Sequence, residues 1–269
     1  MGLRNPCANS SVAVRVITFN ANGIRSAARK GFFGWMLAQA PDFVCVQETK
    51  AQEHQLPGEA VLAGYSAVYL DAVKKGYSGV AIYARRPPLR VVRGLGFGAL
   101  DDEARFLRFD YENLSVCSLY VPSGTMGPAR QAVKYEFLDR FLPELRRMKA
   151  EGRPILVGGD YNIAHLDIDV FSPKACANTT GFLPPERAWF DRATREVGWV
   201  DAFRVVNKER KQFTWWSGWK NAYPNNLGWR IDYQLVTPQL AETVRAATID
   251  RSERYSDHAP VTIDYAFEI

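Results

Sequence analysis

The chain has 269 residues, 47% hydrophobic and 23% charged, an ordinary globular composition with enough apolar material for a sizeable core. Its 34 Lys and Arg against 29 Asp and Glu leave a formal charge of +5, which suits a polyanionic partner without demanding one. Cys7, Cys45, Cys117 and Cys176 show no Cys-x-x-Cys spacing, which argues against a thiolate zinc site and a disulfide framework, and no apolar run approaches the ~18 residues of a membrane span.

Met1–Ser11 has one Arg and no apolar stretch of the secretory kind. It reads as a disordered lead-in, and residues 12–269 as one domain. Val12–Phe19 is the first of many short runs rich in Val, Ile, Phe and Tyr, as strands are. Asp42–Gln47, Tyr65–Leu70, Gly79–Ala84, Phe106–Tyr111, Leu114–Tyr120, Ile155–Gly158, Gln212–Trp216, Ile231–Val236, Thr243–Ile249 and Val261–Phe267 follow. Helical patterns cover Ala28–Ala40, Ala129–Ala150, where Tyr135, Leu138, Phe141 and Leu145 share a face, and Glu186–Val197, opened by Pro184-Pro185 and stopped by Gly198. This mixed order predicts an α+β fold, two packed sheets flanked by helices.

Several of these runs end in, or lead into, a residue that can carry chemistry. Asn20, Glu48, Tyr120, Asp160 with Asn162, and Asp232 stand at strand ends, and Asp257-His258 just precedes a strand. A lone Asn or Asp there is more often a turn residue, because it bonds its own backbone, and a lone His is more often structural. Their co-occurrence carries the functional reading. Strand ends of one sandwich can converge on one rim. Oxygen donors without a cysteine cluster favour Mg²⁺, with Mn²⁺ as a substitute, over Zn²⁺. Such a kit suits hydrolysis of a phosphodiester, which needs an aligned water, donors to the nonbridging oxygens and a stabilised leaving group.

Seven segments occur in order: Phe19-Asn20-Ala21-Asn22-Gly23-Ile24-Arg25, Gln47-Glu48-Thr49-Lys50, Gly76-Tyr77-Ser78-Gly79-Val80-Ala81, Tyr120-Val121-Pro122-Ser123-Gly124, Gly159-Asp160-Tyr161-Asn162-Ile163-Ala164-His165, Trp229-Arg230-Ile231-Asp232-Tyr233 and Ser256-Asp257-His258-Ala259-Pro260. Together they resemble the exonuclease III family of apurinic/apyrimidinic (AP) endonucleases, from about Val14 onward. The resemblance implies a four-layer α/β/β/α sandwich, a role in base-excision repair, and cleavage of double-stranded DNA at abasic sites or blocked 3′ ends. It implies Glu48 as main metal ligand with Asn20 and Asp257 near it, Asp160 acting on the attacking water, Asn162 on the phosphate, Asp232 pairing with His258, and Tyr120 supporting the phosphate. Where many relatives carry Asp, this chain has Asn22, and Ser123 stands where Asn or Gln is common.

Trp215, Trp216, Trp219 and Trp229 crowd toward Asp232. Large aromatics can wall a pocket that accepts a baseless sugar, by analogy with enzymes that flip nucleotides out of the duplex. By resemblance Trp215, Trp229 and Ile231 line it, and Trp219 is a wedge near the duplex. Tyr77, Ser78, Gly79, Arg25, Lys50, Lys74, Lys75, Arg130 and Lys134 are candidates for gripping the DNA backbone. The competing expectations are a 3′-end-processing exonuclease or phosphatase with weak AP activity and, remotely, a DNA-binding module without catalysis. A monomer in the cytoplasm or nucleoid, or the nucleus of a eukaryote, with no membrane partner, completes the expectation.

Overall fold

The computed structural model describes residues 13–219 and 221–269, so the expected lead-in at Met1–Ser11 lies outside the described residues. The strands are β1 (Val14–Asn20), β2 (Phe43–Gln47), β3 (Ser66–Leu70), β4 (Val80–Ala84), β5 (Arg90–Arg93), β6 (Phe106–Asp110), β7 (Ser115–Tyr120), β8 (Ile155–Asp160), β9 (Val200–Asp201), β10 (Asp232–Val236), β11 (Val244–Ile249) and β12 (Val261–Tyr265). They form two six-stranded mixed sheets, ordered β11-β12-β1-β2-β4-β3 and β5-β6-β7-β8-β10-β9. The helices include α1 (Ile24–Arg29), α2 (Phe32–Gln39), α3 (Pro128–Ala150), α4 (Pro173–Cys176) and α5 (Pro184–Asp191).

Alternation along each strand divides its residues between two cores. Val14, Val16, Cys45, Ile82, Leu107, Val116, Leu156 and Val236 meet between the sheets. Ile17, Phe19, Val44 and Val46 face outward against Phe32, Phe33 and Met36 of α2. Cys117, Leu119, Val157, Tyr233 and Leu235 face the other way, onto Phe137, Phe141 and Leu145 of α3 and Trp189 and Phe190 of α5. The layers are therefore α/β/β/α. Each Leu or Phe so buried contributes about 1.5–3 kcal/mol. Among the described residues no helix is long and apolar enough to cross a membrane.

Three expectations for the elements need correction. The single helix at Ala28–Ala40 is two, α1 and α2, divided where Gly31 turns left-handed at φ 88°. The strand expected at Gln212–Trp216 joins neither sheet, and only Trp215 bridges, to Trp229 and to His258. Here the Thr214 hydroxyl accepts the N–H groups of Ile231 and Asp232, replacing a ladder. β5 and the two-residue β9 are edge strands too short and too exposed to show an alternation.

Candidate active site

Parity of the strands builds the site. Asn20, Tyr120, Asp160 and Asp232 all fall on the intersheet face, at strand ends that meet at one rim. In the ladder Asp160 lies in register with Tyr120 on one side and Asp232 on the other. Glu48 follows the end of β2, and Asp257 and His258 precede β12. The layer beneath is polar and close-fitting: a Cβ on Gly158 would lie 2.5 Å from the Thr18 hydroxyl. Of the nine non-glycine residues with positive φ among the described residues, Asn22, Glu48, Lys50, Ser78 and Asn162 all line the cleft above. Asparagine tolerates left-handed backbone, but at Glu48, Lys50 and Ser78 it is costly and persists where its surroundings enforce it, as at functional sites.

His258 Nδ1 lies 2.9 Å from Asp232 Oδ2, so the expected pair is formed, and His258 Nε2 faces Asp160 Oδ2 at 4.0 Å. The carboxylate holds the imidazole with an N–H aimed into the cleft. Burial alone would lower the imidazole pKa, but Asp232, with Asp160 and Asp257 beyond it, raises it to about 10. Burial pushes the Asp160 carboxyl up to about 8, Asp232 and Glu48 adding to the rise and His258 opposing it. Burial, then Glu48, drives the Tyr120 phenol well above its ordinary range, so it stays a neutral donor.

Glu48, Asp160 and His258 each present one ligand atom, all within 4.8 Å of one another. Two neighbours depart from expectation. Asn20 donates its amide to Glu48 Oε1 and to Asp160 Oδ2, both at 2.8 Å, while its oxygen accepts the Asn22 N–H. It thus clamps the two carboxylates and has no oxygen turned toward them. Asp257 accepts from Asn22 Nδ2, Ser256 Oγ and Trp215 Nε1, and it stands outside the three-residue cluster. Lys50 instead pairs with Glu48 Oε2 at 2.6 Å and donates to the Asn22 amide oxygen. Burial would raise the Glu48 carboxyl, but Lys50, Asn20 and His258 hold it below its usual range. The cluster thus gathers four carboxyl groups around one ammonium and one imidazole, an excess of acidic oxygen donors. That excess fits a hard divalent ion.

Asn162 donates to Val121 O at 2.9 Å and, weakly, to Asp160 Oδ2 at 3.3 Å. Next to it Trp215, Trp229, Ile231, Phe182, Val170, Cys176 and Ala164 form an apolar cluster. The Trp215 and Trp229 rings meet edge to face, 6.3 Å between centroids. Gly181 closes this wall: at φ 93°, its missing Cβ would fall 3.3 Å from the Trp229 ring. The whole cleft encloses about 1090 Å³. Tyr77, Ser78, Ser123 and Arg130 line it, and Trp219 stands at its rim 85% exposed. Ser78 Oγ is buried and has no hydrogen-bond partner among the described residues.

Not every residue singled out in the sequence lines the cleft. Trp216 is core, fully buried against Phe213 and Ala222. Arg25 is exposed on α1, and Arg25, Lys74 and Lys75 are not among the lining residues. Lys134 is completely buried and paired with Glu186, so it cannot grip DNA from the rim. Arg105 went unnoticed in the sequence, where nothing in its surroundings marks it. Its buried guanidinium lies 4.5 Å from the Tyr120 ring centre and donates to Tyr120 O and Tyr77 Oη.

An acid–base pair, a phenol donor and a carboxylate cluster suited to a hard cation, gathered at one end of two stacked sheets, define a hydrolytic enzyme acting on phosphate esters. The sequence matches the Endonuclease/Exonuclease/phosphatase family over residues 17–258, and the chain belongs to that family. It is 35% identical over 252 residues to an exodeoxyribonuclease of Bacillus subtilis (strain 168), covering 93% of this chain and 98% of that one. An AP endonuclease from Archaeoglobus fulgidus superposes with a TM-score of 0.85 at 30% identity, over 94% of this chain and 99% of the other. A 3′ phosphatase from Neisseria, bound to a product DNA hairpin, superposes with 0.85 at 27% identity, over 94% and 99%. The chain is a nuclease.

Proposed function

We propose that this nuclease hydrolyses the phosphodiester 5′ to an abasic site in double-stranded DNA, using Mg²⁺, and that the same centre clears blocked 3′ ends. The observation that carries this reading is the apolar pocket of Trp215, Trp229 and Ile231, opened by Gly181 and set beside Asp160 and His258. In this reading the pocket accepts a sugar without its base and turns away a full nucleotide. Glu48 and Asp160 would hold the metal, which supplies charge to a phosphate oxygen. Asp160, ionised once the metal is held, takes the proton of the attacking water. His258 directs its Nε2–H to a nonbridging oxygen, and Asp232 keeps the ring in that orientation. Asn162 exchanges its weak bond to Asp160 for a phosphate oxygen. Tyr120, its ring held by Arg105, donates from the other side, and as the P–O3′ bond breaks the departing 3′-oxygen takes a proton from solvent and leaves as the hydroxyl.

The test is a duplex carrying one tetrahydrofuran residue, with Mg²⁺ and with EDTA. Incision 5′ to the residue only with the metal is the expected result; no incision, alongside hydrolysis of another phosphodiester, sinks the proposal. The likeness to a 3′ phosphatase favours a second reading, in which end-cleaning dominates. Trp229→Leu separates the two. The pocket loses part of its aromatic wall, so abasic incision should fall at least tenfold more than release of phosphate from a 3′-phosphate nick, a misfit of one methyl group being worth about 10–200-fold in such pockets. Equal losses on both substrates favour the second reading.

A further inference from the structure

Lys134 and Glu186 form an ion pair with no solvent exposure on either side chain, between α3 and the first turn of α5. Burying two charges is costly, and an apolar pair of similar volume often serves stability as well or better. Stability alone therefore does not account for this pair, and its remaining bonds show what else it reaches. Lys134 Nζ donates to the backbone oxygen of Asn162 at 2.7 Å. Glu186 Oε2 accepts the N–H of Gly181 at 2.6 Å and of Leu183 at 2.9 Å. Glu186 Oε1 takes a further bond from Gln131 of α3, whose oxygen accepts from Thr180. One end of the pair thus grips the residue that faces the phosphate, which is left-handed at φ 50°; the other grips the glycine that walls the apolar pocket. The Gly181 oxygen in turn accepts the Ala164 N–H, two residues beyond Asn162.

From this geometry we infer that Lys134 and Glu186 are positioning residues, a buried strut that fixes the Asn162 side chain against the scissile phosphate and Gly181 against the sugar pocket as one unit. The inference rests on the reading of the cleft given above. It gives the pair a role in specificity, because one strut sets the distance between the phosphate donor and the pocket wall. Neither residue touches substrate.

The test replaces the pair by Lys134→Met with Glu186→Leu, which keeps the volume and removes both charges. Expected are a lowered unfolding midpoint, because the Asn162 oxygen and the Gly181 and Leu183 N–H groups lose their partners, and shifted or broadened Asn162 side-chain amide resonances. The kcat should fall about 10–100-fold on both a tetrahydrofuran duplex and a 3′-phosphate nick, the cost of a misplaced reacting group. KM should rise several-fold for the tetrahydrofuran duplex alone. A purely structural role predicts a lower midpoint with parental kcat and KM per folded molecule. A folded variant with parental amide resonances and parental kinetics on both substrates overturns the inference. Should the double variant not fold, Glu186→Gln serves: its amide must face either Lys134 or the Gly181 and Leu183 N–H groups, donor against donor, and an unchanged Asn162 amide signal there overturns the inference equally. The resonance needs no substrate, so a parent that fails to incise abasic DNA overturns the proposed function and leaves this readout standing.

Discussion

Two clusters of buried charge lie two residues apart at the start of β10, and they are tuned in opposite directions. Around Arg230, two carboxylates meet two guanidiniums: Arg230 binds Asp169 through Nε and Nη2 and Asp201 through Nη2, and Arg204 adds a bond to Asp169. Burial would raise Asp169, but Arg230 and Arg204 override it and hold it at about 2. Around Asp232, negative charge exceeds positive, and burial with neighbouring carboxylates lifts Asp160 to about 8. The same burial gives opposite outcomes because one cluster carries a guanidinium for each carboxylate and the other has more carboxyl groups than cations. The balanced cluster fastens β9 and the Asp169 segment to β10. The unbalanced one is poised for a ligand.

Substitution at each centre tests that contrast most strongly. Asp160→Asn should lower incision by about 10²–10⁴-fold, the usual share of a proton-transfer group, while DNA binding measured by fluorescence anisotropy persists. Full activity in that variant removes Asp160 from the chemistry. Asp169→Asn should act on stability, because it leaves Arg230 and Arg204 without their shared partner; the expected loss is about 3–5 kcal/mol in urea unfolding.

Acid should separate the clusters further. Asp169 is held at about 2 in the folded protein, below the 3.8 of a free aspartate. Its contribution is therefore present above pH 3.8 and lost as the pH falls through 2, about 2–3 kcal/mol in all. In Asp169→Asn this part of the acid unfolding curve should vanish. Asp160 differs in sign: raised to about 8, it is mostly protonated at pH 7 until a cation arrives. Metal binding at pH 7 should release close to one proton, read by calorimetry in buffers of different ionisation enthalpy. No buffer dependence would mean that Asp160 is already ionised. The smallest effect is expected at Lys50, whose ammonium competes for Glu48. Lys50→Ala should tighten Mn²⁺ binding about fivefold, near the 1 kcal/mol upper range of a partly exposed ion pair.

The layered fold and the gathering of side chains at one rim were legible because strand alternation is local and strict. Asn20, Asp160 and Asp232 read as strand-end residues in the sequence and stand at one rim in space. What escaped is non-local. Lys134 looks like any helix-surface lysine, and only the packing of α5 against α3 buries it on Glu186. The amide direction of Asn20 depends on the Asn22 N–H, set by a left-handed turn that composition does not announce. Arg105 becomes relevant only because Tyr120 folds over it. Gln212–Trp216 had strand composition, yet its hydrogen bonds go to the loop before β10 and to the segment before β12.

The in-register pairing of Asp160 with Tyr120 and Asp232 has a consequence for motion. These residues are buried at the end of a sheet covered on both faces, with the Tyr120 amide held by the Arg105 oxygen and the Asp232 amide by the Thr214 hydroxyl, so their hydrogen exchange should be slow. Trp219 and Met126, both more than four-fifths exposed at the cleft, have no such constraint. Exchange there should be fast. Each turnover then combines a rim free to mould to a distorted duplex with reacting groups that stay fixed, and local opening at the rim costs the reacting groups nothing in alignment.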